Sequence, residues 1–150
     1  MEIAIIAHDS KKELMTEFCF AYCGILSKHN LSATSITGKY ISDATGLRIE
    51  RMLTGEQGGI QQISSRIAYD EIDMVLFFRS TTPSDPHMMS KTEDLESALI
   101  RMCDLHNVPV ATNIATAEAL VSALDRGDFD WREIINPRSE YNRRKKAQRY

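Results

Sequence analysis

The sequence predicts an α/β protein whose sheet is largely parallel and covered by helices on both faces. Two observations predict this fold class. First, short apolar runs alternate along the chain with segments whose apolar residues recur at helical spacing. Second, the run at 73–78 is almost purely apolar, as is typical of a strand buried on both faces of a parallel sheet. Strands that alternate with helices connect by right-handed crossovers, so we expect them to run in one direction.

The first half of the chain begins with an apolar strand at 2–7, which is followed by an amphipathic helix. Asp9 or Ser10 is expected to cap that helix, with Glu13 completing a capping box. The elements that follow alternate in the same way: a strand at 31–36, a helix that begins near 38, a short strand at 48–53 and a helix at about 60–69.

The second half begins with the buried strand at 73–78 and a polar stretch at 79–92, which holds two of the four prolines. This stretch is predicted to be a long functional loop. The remaining elements are predicted to be a helix at 93–105, a strand at 108–112, a helix at 115–124, a final strand at 131–135 and a polar, helical tail.

The composition is that of one soluble domain, with 150 residues of which 43% are hydrophobic and 26% are charged. No apolar run is long enough to span a membrane, and the first residues do not resemble a signal peptide, so we expect a cytoplasmic protein. The three cysteines lie in apolar, helix-like stretches without zinc spacing. They are therefore expected to be reduced core residues, and no metal or cofactor is expected.

The charge is divided between an acidic body at 1–137 and a basic tail at 138–150. The tail has six Lys or Arg residues and one Glu, so its net charge is +5. The net charge of the whole chain is −3, so the body has a net charge of −8. An acidic body opposes binding to phosphate polymers, so nucleic acid is not expected as a partner. The tail is predicted to be solvated or to lie between subunits.

Four polar clusters follow predicted strands: His8-Asp9 with Lys12, the segment 34–38, Thr54-Gly55, and Thr112-Asn113. Ligands of open parallel sheets bind outside the carboxyl ends of the strands, where helices present their amino termini. We therefore expect these clusters to meet at one edge of the sheet.

Together these clusters could bind a phosphate-sized anion. The hydroxyls of Thr34, Thr37 and Thr54, with the amides beside Gly38 and Gly55, are directed donors, and Lys12 adds a positive charge. There is no Walker loop and no GxGxxG, so a single phosphate group is the expected target. Spacing alone leaves a second interpretation open, in which the hydroxyls only cap helices and Lys12 is solvated.

Several motifs together resemble methylglyoxal synthases: Ala7-His8-Asp9 with Lys12, the turn 34–38, Asp43-Ala44-Thr45-Gly46, the segment 52–62 with its double glycine and Gln61-Gln62, and the segment 109–117. The resemblance runs in order over residues 3–124. It implies a Rossmann-like three-layer sandwich with a mainly parallel five-stranded sheet, a homohexamer, and conversion of dihydroxyacetone phosphate to methylglyoxal and phosphate. The positions that hold phosphate in that family correspond to Lys12, Thr34, Thr37, Thr54 and Gly55.

The sequence also departs from that family at positions that matter for catalysis. Where the double glycine of the family is followed by an aspartate, the base that takes the substrate proton, this chain has Ile60. Where the family has Trp-Asp-Pro, this chain has Arg79 followed by Ser80. Pro86-His87 resembles the family's Pro-His, whose histidine acts near the substrate carbonyl.

The leading hypothesis is therefore a binding module, without efficient lyase activity, that senses or sequesters a phosphorylated small molecule or a nucleotide-like signal. Phosphate binding needs no acid, whereas abstraction of a proton beside a carbonyl needs a base within about 3 Å of the carbon. The ligand is expected to contact His8, Asp9, Lys12, Thr34, Ser35, Thr37, Gly38, Thr54, Gly55, Ile60 and Arg79.

The alternative hypothesis is a divergent, active methylglyoxal synthase. In that case Glu56, in the same loop as the lost aspartate, or Asp85 would act as the base, and His87 would polarise the carbonyl. A regulatory domain, the role this fold takes when fused to larger enzymes, is a third and less favoured hypothesis.

Overall fold

The computed structural model describes residues 1–82 and 91–149, except for the side chains of residues 91, 92, 140 and 141. The strands in these ranges are β1 Glu2–Ala7, β2 Asn30–Ala33, β3 Ile49–Arg51, β4 Met74–Phe78 and β5 Val110–Ala111. The helices are α1 Lys12–Ala21, α2 Cys23–Leu26, α3 Ser35–Thr45, α4 Gly59–Ala68, α5 Lys91–Leu105, α6 Ile114–Asp125, α7 Trp131–Ile135 and α8 Glu140–Ala147. Short 3₁₀ turns span Asp9–Lys11 and Gly55–Gln57.

The five strands form one parallel sheet in the order β3-β2-β1-β4-β5, which confirms the predicted fold class. From β1 the chain moves outward through β2 and β3, then returns to place β4 on the other side of β1. The strand order therefore reverses between β1 and β4. In open parallel sheets, ligands bind in the crevice at the carboxyl ends of the strands where the order reverses.

The apolar side chains of β1 alternate between two clusters, one on each face of the sheet. Ile3 and Ile5 pack with residues of α1, α3 and α6. Ala4 and Ile6 pack with residues of α4 and α5. Because strand residues point alternately to opposite faces, the two clusters make three layers of helix, sheet and helix.

Some predicted boundaries are displaced. The strand expected at 31–36 ends at Ala33, because Thr34 precedes the first residue of α3 and the backbone turns there. Ile36, which extended the apolar run in the sequence, is an exposed residue of α3. The strand expected at 108–112 shortens to two residues.

The prediction of a final strand at 131–135 is wrong, because these residues form α7. Arg132 faces inward, where its Nε lies 3.5 Å from Asp73 Oδ1 and its Nη1 donates to the Asn107 carbonyl at 2.6 Å. The apolar residues Trp131, Ile134 and Ile135 are exposed. These residues are three and four positions apart, which is helical spacing. The segment is so short and so apolar that its pattern also fits a strand.

The basic tail contains α8 and makes ionic contacts with the body of the protein. Arg143 Nη2 lies 3.1 Å from Glu2 Oε1, and Arg138 Nε lies 3.2 Å from Glu71 Oε1. Ser139 Oγ accepts a hydrogen bond from the Asn142 amide at 3.1 Å and so caps α8. The tail is thus placed at the amino ends of the strands.

The cysteines are free thiols, as the sequence predicted. Burial raises the pKa of both Cys19 and Cys103 to about 12, so both thiols are protonated at neutral pH. Among the described residues, no helix has the length and apolar content that crossing a membrane requires.

Candidate functional site

The polar clusters that follow the strands meet at one edge of the sheet, as expected. The His8 amide donates to the Phe78 carbonyl at 2.9 Å, which holds the end of β1 beside the end of β4 and Arg79. On the other side of β1, the Ser35 amide donates to the Leu53 carbonyl at 3.3 Å. This contact brings the turn after β2 next to the turn after β3.

Lys12 lies at the centre of this edge and is held by two acceptors. Its Nζ donates to the Ala7 carbonyl at 3.1 Å and to Asp9 Oδ1 at 2.6 Å. Its side chain is only 15% exposed, so the interpretation of Lys12 as a solvated lysine is wrong. An ammonium group has three N–H donors, so one remains for a ligand.

The Asp9 side chain bonds to Lys12 and does not cap the helix. The hydrogen bond from Lys12 and the positive charge of that group lower the pKa of the Asp9 carboxyl below its usual value. The carboxylate is ionised at neutral pH and already bonded, so it orients the ammonium group and is a poor base.

His8, and not Asp9 or Ser10 as expected, provides the cap before α1. Its Nδ1 accepts a hydrogen bond from the Ser10 amide at 3.2 Å and lies 2.8 Å from Ser10 Oγ. The capping box of Ser10 and Glu13 does not form, because Lys11 precedes α1 and makes no side-chain cap. With Nδ1 as the acceptor, a neutral ring carries its proton on Nε2, where it can donate to a ligand.

Thr34 and Thr37 form a buried pair of hydroxyls at the start of α3. Their exposed fractions are 6% and 1%, and Thr34 Oγ1 lies 3.4 Å from Thr37 Oγ1. The Thr34 side chain makes no hydrogen bond to the amides of the first turn, although Thr34 occupies the cap position. The Ser35 amide already donates to Leu53, so the amides of Ile36 and Thr37 and the two hydroxyls are the groups that can donate to an anion, and the positive end of the helix dipole favours one there.

Two of the expected binding residues near the start of α3 already have neighbours within the protein. Ser35 Oγ accepts a hydrogen bond from Arg51 Nη2 at 3.1 Å. A Cβ on Gly38 would lie 3.0 Å from Arg51 Cγ and 3.4 Å from the Ala33 Cβ, so this position requires a small residue. Whether either residue also contacts a ligand stays a prediction.

The turn at 54–59 is shaped by Thr54 and by the double glycine. Thr54 Oγ1 accepts a hydrogen bond from the Gln57 amide at 3.2 Å, and its carbonyl accepts from the Gly59 amide at 2.8 Å. Gly58 has a φ of 104°, and a Cβ on Gly59 would lie 2.1 Å from the Leu53 carbonyl oxygen. Both positions therefore require glycine.

Two residues show that the capping interpretation holds for part of the site. Thr54 caps the turn at Gly55–Gln57, and Asn113 Oδ1 caps α6 by accepting from the Thr116 amide at 3.1 Å. Thr34 makes no such bond. We call Lys12, Thr34, Thr37, Thr54 and Gly55 the anion site.

Ile60 lies in the first turn of α4 and is 4% exposed. It packs in the cluster between the sheet and α4 and α5, and its Cδ1 would lie 3.9 Å from a Cβ on Gly55. Its apolar side chain therefore lies beside the anion site, and it has no lone pair that could accept a proton. Glu56, which the sequence suggested as a substitute base, is exposed on the 3₁₀ turn.

Glu96 is a candidate that the sequence reasoning missed. This half-buried residue of α5 shares one face of the helix with Leu99, Ile100 and Cys103. Burial raises the pKa of its carboxyl, while electrostatic interactions with Arg79 and His8 oppose the rise. Glu96 therefore lies near both residues at the reversal between β1 and β4. An acid at i, followed by apolar residues at i+3, i+4 and i+7, was the sequence signal that could have found it.

Two of the expected catalytic residues, Asp85 and His87, lie outside the described residues. Within the described ranges, no group of three or more His, Cys, Asp or Glu side chains could hold a metal ion.

The family model for the MGS-like domain matches residues 17–112. Methylglyoxal synthase from Caldicellulosiruptor saccharolyticus is 57% identical over 143 residues, covering 95% of this chain and 98% of that one. Methylglyoxal synthase from Oceanobacillus iheyensis is 52% identical over 140 residues, covering 93% and 96%. The chain belongs to the methylglyoxal synthase family.

A solved methylglyoxal synthase confirms the fold as well. The crystal structure of the enzyme from Elizabethkingia anophelis superimposes with a TM-score of 0.70 and 39% sequence identity, covering 81% of this chain and 76% of that one. Relatives this similar that bear the name of an enzyme support the hypothesis of an active methylglyoxal synthase more than that of a binding module.

Proposed function

We propose that this chain is a divergent methylglyoxal synthase, a carbon–oxygen lyase that converts dihydroxyacetone phosphate to methylglyoxal and phosphate. The observation that carries the proposal is the anion site, built at the carboxyl edge of the sheet in a chain 57% identical to a methylglyoxal synthase. The site offers directed donors and one fixed cation to a phosphate group.

The phosphate group is bound by Lys12 Nζ, by the hydroxyls of Thr34 and Thr37, and by the amides of Ile36 and Thr37 at the start of α3. These groups are preorganised, because Lys12 is held by Ala7 and Asp9 and the two threonines are buried. Binding therefore costs little ordering of side chains. A larger share of the interaction energy is left to position the rest of the substrate.

The reaction needs a base on the side of the carbonyl away from the phosphate ester. The base removes a proton from the hydroxymethyl carbon, and the electron pair moves into the carbonyl to give an enediolate. The hydroxyl on the deprotonated carbon then loses its proton and becomes the aldehyde, and the electron pair of the enediolate double bond shifts to the bond with the CH2 group. The bond between that CH2 carbon and the phosphate oxygen breaks, and phosphate leaves with the bonding electrons. Tautomerisation of the remaining enol gives methylglyoxal.

Glu96 is our candidate for this base. It lies on the buried face of α5, near His8 and Arg79 at the crevice between β1 and β4. A carboxyl whose pKa is raised by burial is better matched to proton transfer near neutral pH than an exposed one. The exposed Glu56 and the ion-paired Asp9 lack this environment. The Nε2 proton of His8 can stabilise the developing enediolate, and the role of His87 stays a prediction.

The test is the rate of methylglyoxal formation from dihydroxyacetone phosphate by wild type, Glu96→Gln and Glu56→Gln. We expect a measurable wild-type rate, a loss of about 10²–10⁴-fold in kcat for Glu96→Gln, and little change for Glu56→Gln. A large loss in Glu56→Gln with an active Glu96→Gln would identify Glu56 as the base. The absence of product from wild type, under conditions where a named relative is active, would refute the lyase proposal.

Ile60 supports a second candidate function, a binding module for phosphorylated small molecules or nucleotide-like ligands. It puts a buried apolar side chain beside the anion site, at the position where the resemblance expects the base. Calorimetric titration with inorganic phosphate, dihydroxyacetone phosphate and ADP-ribose tests this function. Saturable binding that requires Lys12, without turnover, would favour it over the lyase.

A further inference from the structure

A second concave site lies at the amino ends of β1, β2 and β3, at the opposite edge of the sheet from the anion site. It is an open cleft of about 1000 Å³, bounded on one side by α8. Its lining includes five cationic side chains: Arg48, Arg66, Arg138, Arg143 and Lys146. We call this site the basic cleft.

The cations of the basic cleft outnumber its carboxylates, which are those of Glu2 and Glu50. Arg66 lies 3.8 Å from Glu2 and 3.3 Å from Glu50, and Arg143 lies 3.1 Å from the same Glu2. Glu2 is therefore shared by two guanidinium groups. Positive charge remains in excess, which raises the local concentration of anions.

Arg48 and Lys146 supply that excess. Both are exposed, and within the described ranges neither has a carboxylate partner. They flank the cleft from different elements, since Arg48 precedes β3 and Lys146 lies in the last turn of α8. His29 also lines the cleft, but burial and the N-terminal ammonium lower its pKa to about 4, so it is neutral at pH 7.

Arg66, Arg138 and Arg143 are held in place by ion pairs before any ligand arrives. Arg66 has carboxylates of three glutamates around it, at Glu2, Glu50 and Glu71, and its side chain is 12% exposed. Arg138 is fixed by Glu71, which does not line the cleft. A guanidinium group held in this way presents paired N–H donors that suit phosphate oxygens. The volume is in the range of small-molecule sites, about 300–1,000 Å³.

We propose that the basic cleft binds a small polyanion of the diphosphate or triphosphate class, independently of the anion site. The two sites are separated by the length of β1, from Glu2 to Ala7, which is about 17 Å. One phosphorylated triose cannot reach both. The ligand of the basic cleft is therefore a separate molecule, recognised by several phosphate oxygens.

The test is calorimetric titration of the full chain with inorganic tripolyphosphate at low salt. The variants are Arg48→Ala/Lys146→Ala, which removes both unpaired cations, and Lys145→Ala, which removes a neighbouring cation of α8 that does not line the cleft. A third variant, Lys12→Ala, disables the anion site. All three leave the buried core untouched, and circular dichroism confirms that each variant is folded.

We expect wild type, Lys145→Ala and Lys12→Ala to share one saturable binding event, which weakens by about tenfold or more in Arg48→Ala/Lys146→Ala. No saturable binding by wild type would overturn the proposal. So would binding that disappears in Lys12→Ala and survives in Arg48→Ala/Lys146→Ala, because the anion site would then be the only one. Equal weakening by Lys145→Ala would indicate a general charge effect and would also contradict it.

Discussion

At the scale of single residues, ligand binding depends on which polar groups already have hydrogen-bond partners and which remain available to a ligand. The Asp9 carboxylate accepts a hydrogen bond from Lys12, and the Ser35 hydroxyl accepts one from Arg51. The Thr34 side chain, in contrast, does not cap the first turn of α3. These differences cannot be read from the sequence, because Thr, Ser and Asp serve equally as caps and as ligands. Residue spacing predicted which residues make up the anion site, but it did not predict which of them bond within the protein and which are available to a ligand.

Glu96 and Ile60 also show what the sequence alone could and could not identify. Ile60 was identified because a resemblance gave its position a role, and the structure adds that it is buried beside Gly55. No motif marked Glu96, whose interest arises only when α5 packs on the sheet near His8 and Arg79. Residues brought together by tertiary packing leave little trace in local sequence.

The first residue-scale prediction concerns Ile60. We expect Glu96→Gln/Ile60→Asp to recover part of the activity that Glu96→Gln loses, because the new carboxylate lies beside the anion site. Glu96→Gln/Ile60→Asn introduces a polar group of similar size without a base and is expected to recover none. Methylglyoxal formation is measured for both double variants. Equal activity in the two would show that polarity, and not a base, is what position 60 supplies.

The second residue-scale prediction concerns the ion pair of Asp9 and Lys12. Lys12 lowers the pKa of Asp9, so the pair stabilises the fold above the ordinary pKa of an aspartate and loses that effect as the pH falls through the lowered value. In Lys12→Ala we expect the pKa of Asp9 to return toward its usual value. An NMR titration of the carboxyl measures it, and an unchanged pKa would contradict the assigned cause.

At the scale of elements, periodicity predicted the order of strands and helices because each element buries one apolar face. It failed at 131–135, where α7 turns its apolar residues outward and buries Arg132 against Asp73. It also misplaced the start of α3, because Thr34 and Ile36 continue the β-like pattern of β2. Short apolar segments do not carry enough repeats to separate the two periods.

The element-scale prediction concerns the turn between β3 and α4. We expect Gly59→Ala to destabilise the protein by about 1–3 kcal/mol and to reduce activity, because its Cβ would lie 2.1 Å from the Leu53 carbonyl oxygen and displace Thr54. Gly24→Ala, in α2, is the matched control, since its Cβ would have no atom within 4 Å. Urea unfolding measures both. Equal stability of the two variants would contradict the close approach.

At the scale of the whole molecule, the sheet separates the two proposed sites. Its carboxyl edge carries the anion site and its amino edge carries the basic cleft, with the buried strand β1 between them. The homohexamer implied by the resemblance stays a prediction. Exposed apolar side chains on several elements, among them Phe20, Tyr40, Leu105 and Trp131, are surfaces that self-association could cover. Light scattering would show a mass near six times 17.0 kDa.

A second molecular-scale prediction is a loss of stability in mild acid. Burial lowers the pKa of His29 to about 4, below the value of 6.5 for a free imidazole. The unfolded chain therefore binds more protons than the folded one between these values, so stability falls as the pH is lowered from 6.5 to 4. His29→Gln should flatten that part of the pH profile of the unfolding free energy. An unchanged slope would show that other groups cause it.

We propose that the carboxyl edge of the sheet binds the phosphate of a triose and supports the elimination of that phosphate. The most direct measurement is the steady-state rate of methylglyoxal release from dihydroxyacetone phosphate by wild type and Lys12→Ala. We expect turnover by wild type and a fall in kcat/KM of about tenfold to a hundredfold in Lys12→Ala, because a charged hydrogen bond to phosphate is lost. No turnover by wild type, or equal turnover by both proteins, would contradict it.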